Sequence, residues 1–334
     1  MTSGYIITCN AGSSNTKFAL FKADTLEKTE QQTFHNRQEG LDWLGAVKTD
    51  KTIAAIGHRV VHGGREFIRP VKITDEILIK LHEYIPLAPL HQPAALELIG
   101  ETQKLFPDSM HVACFDTAFH RTMPEIEQRF ALPEQYFDEG IIRYGFHGVS
   151  YEYIADVLPD YVGDVADGRV IIAHLGGGCS ACAMLERKSV STSMGFSTLE
   201  GLMMSTRCGS IDAGVLLYML EQKKLSTSQI SELLYKESGL KGVSAISGDM
   251  RMLLESKEPT ARLAIELFCR MAAREISALI PAIGGLDVLV FTGGIGEHSE
   301  YIRTAISDAL KWIGNFKTVA IKTDEELVIA KACL

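Results

Sequence analysis

Tyr5-Ile-Ile-Thr-Cys-Asn-Ala-Gly-Ser-Ser-Asn-Thr-Lys-Phe-Ala-Leu20 reads as a buried strand, a small-residue turn and a second strand. Val170-Ile-Ile-Ala-His-Leu-Gly-Gly-Gly-Cys-Ser-Ala-Cys-Ala-Met-Leu185 repeats that pattern with the turn in register. Short apolar runs bounded by Gly, Ser and Asn are hairpin signals. Such turns point backbone N–H groups outward and form concavities suited to anions. The repeat predicts two similar domains with a phosphate chain between them. Two ordinary hairpins of an α/β protein are the plainer reading of the same residues.

Outward from the first hairpin, a polar stretch runs to Thr52, and Ile53–Ile56 is a short apolar strand leading into Gly57-His-Arg-Val-Val-His-Gly-Gly64. Thr74–Tyr84 reads as a helix with Thr74 as N-cap and Asp75 and Glu76 in its first turn. Pro86 and Pro89 end it. A second helix is expected over Pro93–Leu105, and Met110–Phe115 is a buried strand ending on Asp116. Beyond the second hairpin, Leu199–Lys223 is apolar with embedded Arg207 and Asp212, and Thr227–Lys236 is helical. Pro259–Ile280 is a long, mostly buried helix with Pro at its start. Asp287–Phe291 is a strand followed by Thr292-Gly-Gly-Ile-Gly296. Ser299–Ile313 is an amphipathic helix with Tyr301, Ile302, Ala305, Ile306, Ala309, Leu310 and Ile313 in one stripe. The strands ending on Asp116 and Gly293 are expected to be corresponding members of the duplication. The crossing between domains is expected near Gly145–Ser150.

The 334 residues suit two domains, and 46% hydrophobic with 22% charged residues suits a globular chain. A formal net charge of -9 argues against a nucleic-acid or anionic-membrane surface as the main partner. No apolar run reaches the ~18 residues of a membrane span, and no signal peptide is read at the N-terminus. The seven cysteines lie mostly in apolar contexts, which points to a reducing compartment and the cytoplasm. Cys179-Ser-Ala-Cys182, with His174 nearby, is a weak redox or zinc signal because no second C-x-x-C exists.

Several polar residues sit where a core does not favour them. Asp116 ends an apolar strand, a frequent catalytic position in α/β folds, though it can equally cap a helix begun after it. Arg59 and Arg207 lie in apolar, Gly-rich surroundings, where a lone Arg needs a partner; two suggest clamps on carboxylate or phosphate. His91 and His147 each read alone as packed structural histidines. Ser247-Gly-Asp-Met-Arg251 can cap a helix or hold a ribose. Gly12-Ser-Ser-Asn-Thr-Lys17 lacks the spacing of a Walker A loop and leads into a strand.

Together these segments resemble the acetate kinase family, within the acetate and sugar kinase/Hsc70/actin superfamily. The resemblance is carried in order by Asn10-Ala-Gly-Ser-Ser14 with Lys17, His58-Arg-Val-Val-His-Gly-Gly64, Leu87-Ala-Pro-Leu-His91, Phe115-Asp-Thr-Ala-Phe-His120, Tyr144-Gly-Phe-His-Gly148, His174-Leu-Gly-Gly-Gly178, Thr192-Ser-Met-Gly-Phe196, Leu199-Glu-Gly-Leu-Met-Met204, Ser247-Gly-Asp249 with Arg251, Gly294-Ile-Gly-Glu297 and Thr323-Asp-Glu-Glu-Leu327. It implies an α/β fold of two duplicated ribonuclease-H-like (actin-like ATPase) domains with the active site in the interdomain cleft. The first domain spans 1–148 and is completed by a C-terminal helix, 326–334; the second, 149–325, carries nucleotide binding and homodimer formation. The implied reaction is ATP plus acetate to ADP plus acetyl phosphate, reversibly, with Mg²⁺ or Mn²⁺; propionate or another short-chain carboxylate is the alternative acid.

The resemblance also assigns roles. Arg59 and Arg207 grip the acyl carboxylate and the transferring phosphoryl, and His147 hydrogen-bonds the phosphoryl in the transition state. His91 supports an acyl pocket walled by Val61, Leu90 and Phe146. Asn10 and Glu325 hold the metal, with Asp116 close to acid and metal. Asn10, Gly12, Ser13 and Asn15 form the phosphate loop. Lys17, His174, Gly176, Gly177, Gly178, Asp249, Met250, Arg251, Gly294 and Ile295 carry the nucleotide side. The family usually has Ser at Asn15, Asn at Gly177 and Pro at Thr198. It also has longer segments before Ile53 and between Gly314 and Thr318. A carboxylic acid of pKa about 4 is already ionised at pH 7, so no general base is needed and Asp116 is cast as a positioner.

Overall fold

A computed structural model describes residues 4–12 and 15–334. The first sheet has the order β3-β2-β1-β4-β6-β5, from Tyr5–Ala11 (β1), Thr16–Lys22 (β2), Lys28–Phe34 (β3), Ile53–Val60 (β4), Val71–Lys72 (β5) and Met110–Phe115 (β6). The second has the order β11-β10-β7-β8-β9, from Val170–Leu175 (β7), Cys179–Leu185 (β8), Lys188–Thr192 (β9), Val288–Thr292 (β10) and Lys317–Ala320 (β11). In each, an antiparallel meander of three strands is followed by two strands parallel to the first: β2, β3, β4 and β6 stand to β1 as β8, β9, β10 and β11 stand to β7. The two quoted hairpins are therefore the same part of one repeated unit.

The correspondence of the later strands differs from the sequence expectation. The strand that precedes Gly293, β10, lies beside β7 as β4 lies beside β1, so its counterpart carries Arg59. The strand that ends before Asp116, β6, corresponds to β11. Both β6 and β10 are buried apolar strands, and apolar character alone does not tell neighbouring parallel strands apart.

The chain forms two compact units, Met1–Arg121 with Phe146–Tyr153 and Asp324–Leu334, and Thr122–Gly145 with Ile154–Thr323. In the first unit, one face of the sheet packs Ile7, Phe18, Leu20 and Ile56 against Leu44, Val47, Leu98 and Phe106. The other packs Ile6, Phe21 and Val112 against Val328, Ile329 and Ala330 of the C-terminal helix Glu325–Lys331. That helix lies so close that a Cβ at Gly57 would stand 2.4 Å from Ile329 Cγ2. In the second unit the helix Pro259–Ile283 lays Ala264, Phe268, Ala272, Ile276 and Leu279 towards the core, packs on β8, and ends at Gly284 with φ +71°. It runs past Pro281, three residues beyond the expected end.

Thr74 caps the helix Asp75–Glu83 as expected, accepting from the Ile77 N–H. The stretch before Thr52 holds more structure than its polarity suggests, namely β3 and the helix Arg37–Asp50. The amphipathic helix is shorter than expected, Glu300–Ala309 followed by a 3₁₀ turn Lys311–Ile313. Ile302, Ile306 and Leu310 are buried, whereas Tyr301 and Ala309 are exposed and fall outside the stripe. Cys9, Cys114 and Cys269 are core residues. Cys179 and Cys182, three apart on β8, point to opposite faces, and burial pushes both thiols up to about 12. A strand so arranged cannot turn both sulfurs on one metal or on each other. No helix among the described residues is long and apolar enough to cross a membrane.

Candidate active site

The first unit gathers a charged cluster at the C-terminal ends of its parallel strands. Arg59 on β4 and Asp116, just beyond β6, meet as a fork: Arg59 Nε donates to Asp116 Oδ1 at 2.8 Å and Nη2 to Oδ2 at 2.6 Å. Parallel pairing puts them there, since Val60 pairs with Phe115 and the Asp116 N–H donates to the Val60 carbonyl at 3.1 Å. Arg59 Nη1 donates to Asn10 Oδ1 at 3.0 Å and lies 3.7 Å from Glu325 Oε2. Asn10 Nδ2 in turn donates to Glu325 Oε2 at 2.7 Å and to Glu326 Oε1 at 3.2 Å. Lys17, the β2 residue opposite Asn10, pairs with Glu326 at 3.1 Å. The amide orientation of Asn10 is set by this network, with oxygen towards a cation and nitrogen towards two carboxylates.

Burial pushes the Asp116 carboxyl above the usual carboxylate range, while Arg59 and the His147 N–H pull against it. Burial also opposes the Arg59 charge, but Asp116 and Glu325 outweigh it and hold the guanidinium above its ordinary range. The lone arginine of the sequence is thus paired, and Asp116 serves it rather than capping a helix. Three carboxylates (Asp116, Glu325 and Glu326) face two cations (Arg59 and Lys17).

His147 joins this site with φ +58°, a left-handed conformation uncommon for a non-glycine residue. Gly148 comes next, packed so tightly that a Cβ there would stand 2.1 Å from the Asp116 carbonyl, to which its N–H donates at 2.9 Å. Val61 and Phe146 are buried, His91 is half-buried at the start of the helix Gln92–Leu105, and Leu90 is exposed. At the turn after β1, the Gly12 N–H donates to the Asn15 carbonyl at 2.8 Å; Ser13 lies outside the described residues.

The second unit holds a cavity of about 610 Å³ lined by one glycine turn and two short helices. Gly176 and Gly177 come from the β7–β8 turn, closed by the Gly176 N–H donating to the Gly178 carbonyl at 3.0 Å. Asp249, Met250 and Arg251 come from the start of the helix Met250–Glu255, and Gly294 and Ile295 from the start of the helix Gly293–His298 that follows β10. No atom lies within 4 Å of the place a Cβ would take at Gly177 or at Gly294. Of the nucleotide-side residues in this unit, His174 and Gly178 do not line the cavity. His174 sits behind the glycine turn, 3.6 Å from the place a Gly176 Cβ would take. Lys17 belongs to the first unit's cluster. Gly248, inside the Ser247-Gly-Asp249 motif, also lines the cavity, as do Ser205, Leu254, His298 and Ser299, which no sequence motif singles out.

Asp249 caps its helix, accepting from the Arg251 N–H at 2.8 Å, and its carboxyl is held low by the Arg251 side chain. Arg207 lies in an irregular stretch, with Nη1 donating to the Thr198 carbonyl at 3.0 Å.

Two copies of one five-stranded meander-and-crossover unit, with a charged cluster at the strand ends of one and a glycine-lined cavity in the other, constitute the duplicated actin-like ATPase fold. The acetokinase family's profile matches residues 39–331, and the chain belongs to that family. It is 43% identical to an acetate kinase of Rhodopseudomonas palustris (strain TIE-1) over 387 aligned positions, covering 98% of this chain and 97% of the relative. It is 39% identical to an acetate kinase of Rickettsia felis, covering 98% and 97%. The 387 positions exceed the 334 residues here, so the relative carries residues this chain lacks. Among solved structures, a propionate kinase from Francisella tularensis subsp. tularensis SCHU S4 superposes with TM-score 0.91 at 34% identity, covering 99% of each chain. An acetate kinase from Porphyromonas gingivalis superposes with TM-score 0.87 at 32% identity, covering 99% and 98%.

Proposed function

We propose that this chain is a short-chain acyl kinase that transfers the terminal phosphoryl of ATP reversibly to acetate, giving ADP and acetyl phosphate. The observation that carries this reading is the Arg59–Asp116 fork set among Asn10, Glu325 and Lys17, in a chain aligned over nearly its whole length with acetate kinases. The acceptor carboxylate is ionised at neutral pH and attacks without a general base. The task is to hold two anions together and neutralise charge as it moves, which in phosphoryl transfer is mostly positioning and electrostatics. Asp116 takes the Nε hydrogen and one Nη2 hydrogen and Asn10 takes one Nη1 hydrogen, so two of the five guanidinium hydrogens, one on each Nη, are left to donate to an anion. Arg207 and His147 supply further positive charge and a hydrogen-bond donor to the transferring phosphoryl. The cavity lined by Gly176, Gly177, Asp249, Met250 and Ile295 takes the nucleotide, with bare glycine backbone facing its phosphates.

The donor chemistry fits a hard divalent cation. Asn10, Glu325 and Asp116 offer oxygens, and the excess of carboxylates over cations suits Mg²⁺ or Mn²⁺ beside two anionic substrates. No cluster of three or more acidic, His or Cys ligands occurs among the described residues, so phosphate oxygens and water would complete the set. When bound, such an ion would neutralise charge on the phosphates.

Acid selection is assigned to Val61, Leu90 and Phe146, with His91 beside them. Apolar walls of this kind separate acids by about 1–3 kcal/mol per methylene, so propionate is the second reading, favoured by the similarity to a propionate kinase. A homodimer through the second unit is supported by the helix Ala213–Glu221, which has no buried residue and exposes Val215, Leu217, Tyr218 and Leu220. A reducing, cytoplasmic location is supported by seven free cysteines, six of them buried.

The test is incubation of purified protein with ATP, Mg²⁺ and a panel of short carboxylates, trapping acyl phosphate as hydroxamate. Absence of trapped product with every acid would sink the kinase reading and leave a non-catalytic nucleotide binder. A stronger signal with propionate would change only the acid.

A further inference from the structure

The segment that leaves β4 is held by side chains rather than by the sheet. The His62 N–H donates to Gln92 Oε1 at 3.2 Å; Gln92 Nε2 donates back to the His62 carbonyl at 3.2 Å and to the Leu81 carbonyl at 3.3 Å. The Gly63 N–H donates to Thr117 Oγ1 at 3.1 Å, and the Gly64 N–H to His62 Nδ1 at 3.0 Å. Gln92, Thr117 and His62 are fully buried. An amide has two hydrogens, and both of those on Gln92 go to carbonyls while its oxygen takes the N–H, so only one orientation satisfies the three groups. Losing Gln92 removes its two bonds to the buried His62 main chain, whereas the Leu81 carbonyl keeps the Tyr84 N–H at 3.3 Å.

Each holder stands, in sequence, directly after a residue assigned above to the acid site or its charged cluster: Gln92 comes after His91, Thr117 after Asp116, and the segment they hold begins with Val61. The His62 ring stands edge-on to Phe146, centroids 5.7 Å apart at 66°. Val61 and the ring beside Phe146 thus stand on one short piece of irregular backbone, to which Gln92 makes two bonds while its third joins it to the end of the helix Asp75–Glu83.

We propose that Gln92 is a positioning residue for acid selectivity: its amide fixes where Val61 and the His62 ring stand against Phe146, and so how long a carboxylate is accepted. Thr117 holds the same segment from the strand end that carries Asp116. The inference rests on the acid site proposed above. Gln92→Asn shortens the reach by one methylene. Gln92→Met keeps the bulk and removes all three bonds, and Thr117→Val keeps the shape and removes one.

The experiment compares kcat/KM for acetate and propionate, by hydroxamate trapping, in the wild type, these three variants and Val61→Ala. The ratio is internal to each preparation, so loss of folded protein does not move it. Gln92→Met and Gln92→Asn are expected to shift the ratio about fivefold or more, mainly through the acid KM, with the KM for ATP within about twofold. Thr117→Val, isosteric and least disturbing to folding, is expected to shift it by less. If Val61→Ala moves the ratio while Gln92→Asn and Thr117→Val leave it unchanged, Gln92 has no positioning role and the acid site stands. If Val61→Ala also leaves it unchanged, the acid binds elsewhere and both ideas fall. A wild type that turns over no carboxylate removes the reading beneath them.

Discussion

Asp116→Asn isolates the charge at the centre of the first unit's cluster. Asparagine keeps the shape and one acceptor, so Arg59 Nε or Nη2 retains a hydrogen bond, but the guanidinium loses its bidentate counter-charge. The Asp116 side chain is 2% exposed and that of Arg59 15%, so water replaces little of what is lost. Breaking a buried pair by removing one partner costs about 3–5 kcal/mol. Here Glu325, 3.7 Å from Arg59 Nη1, and the Asn10 oxygen remain, which brings the expectation to the lower end, about 2–3 kcal/mol. Urea unfolding gives the stability. The same variant is expected to lose about 10²-fold or more in turnover, because Arg59 is no longer held in one orientation. Arg59→Met alone leaves Asp116 uncompensated, whereas the double variant Arg59→Met/Asp116→Asn removes both charges. The double variant should be less destabilised than the two single losses together by about 1–3 kcal/mol. Stability within about 0.5 kcal/mol of wild type for Asp116→Asn, or strict additivity in the cycle, would refute the claim that this fork organises the site.

Gly57→Ala drives a Cβ to 2.4 Å from Ile329 Cγ2 and should cost about 1–3 kcal/mol in urea unfolding, with a rise in KM as Glu325 and Glu326 shift; an unchanged midpoint contradicts the close packing. Arg207→Ala should lower kcat by about 10²–10³-fold with a smaller effect on stability; near-normal turnover would mean the phosphoryl site is misassigned. His58, His62 and His120 are buried and neutral, with burial the main cause of pKa values lowered to about 3. Unfolding lets each bind a proton below about 6.5, so their contribution is fully present above that pH and is lost as pH falls towards 3, at up to about 4 kcal/mol per pH unit for the three together. Circular dichroism across pH 7 to 3 should show cooperative acid unfolding inside that window; a chain still folded at pH 3 refutes the assignment.

The paired hairpins are legible in the sequence because strand, turn and strand lie within sixteen contiguous residues and the turn chemistry is local. β3 is not, because an edge strand such as Lys28-Thr-Glu-Gln-Gln-Thr-Phe34 buries almost nothing and so carries no apolar period. Tyr301 enters the expected stripe because helical spacing says which residues share a face, not where the covering neighbours stop. Arg59 and Asp116 are each conspicuous as charges in apolar surroundings. Their partnership spans 57 residues and depends on which strands run side by side, a matter of topology that local pattern does not encode. The hold of Gln92 on His62 is hidden for the same reason, since a glutamine at a helix start looks ordinary until the backbone it serves is in place.

The bond from Asn10 to Glu325 joins residues 315 positions apart, and the helix that carries Glu325 also closes one face of the first sheet. Closing so long a loop is thermodynamically mild, about 0.6 kcal/mol for each doubling of length. In time it is demanding. At ribosomal rates of about 5–20 residues per second, β1 waits on the order of 15–60 s for the last helix to emerge. Until then the apolar surface around Ile6, Phe21 and Val112 stays uncovered and the carboxylates of the cluster are missing. Synthesis order thus imposes a vulnerable interval on this chain, in which the first unit to be made is the last to be finished.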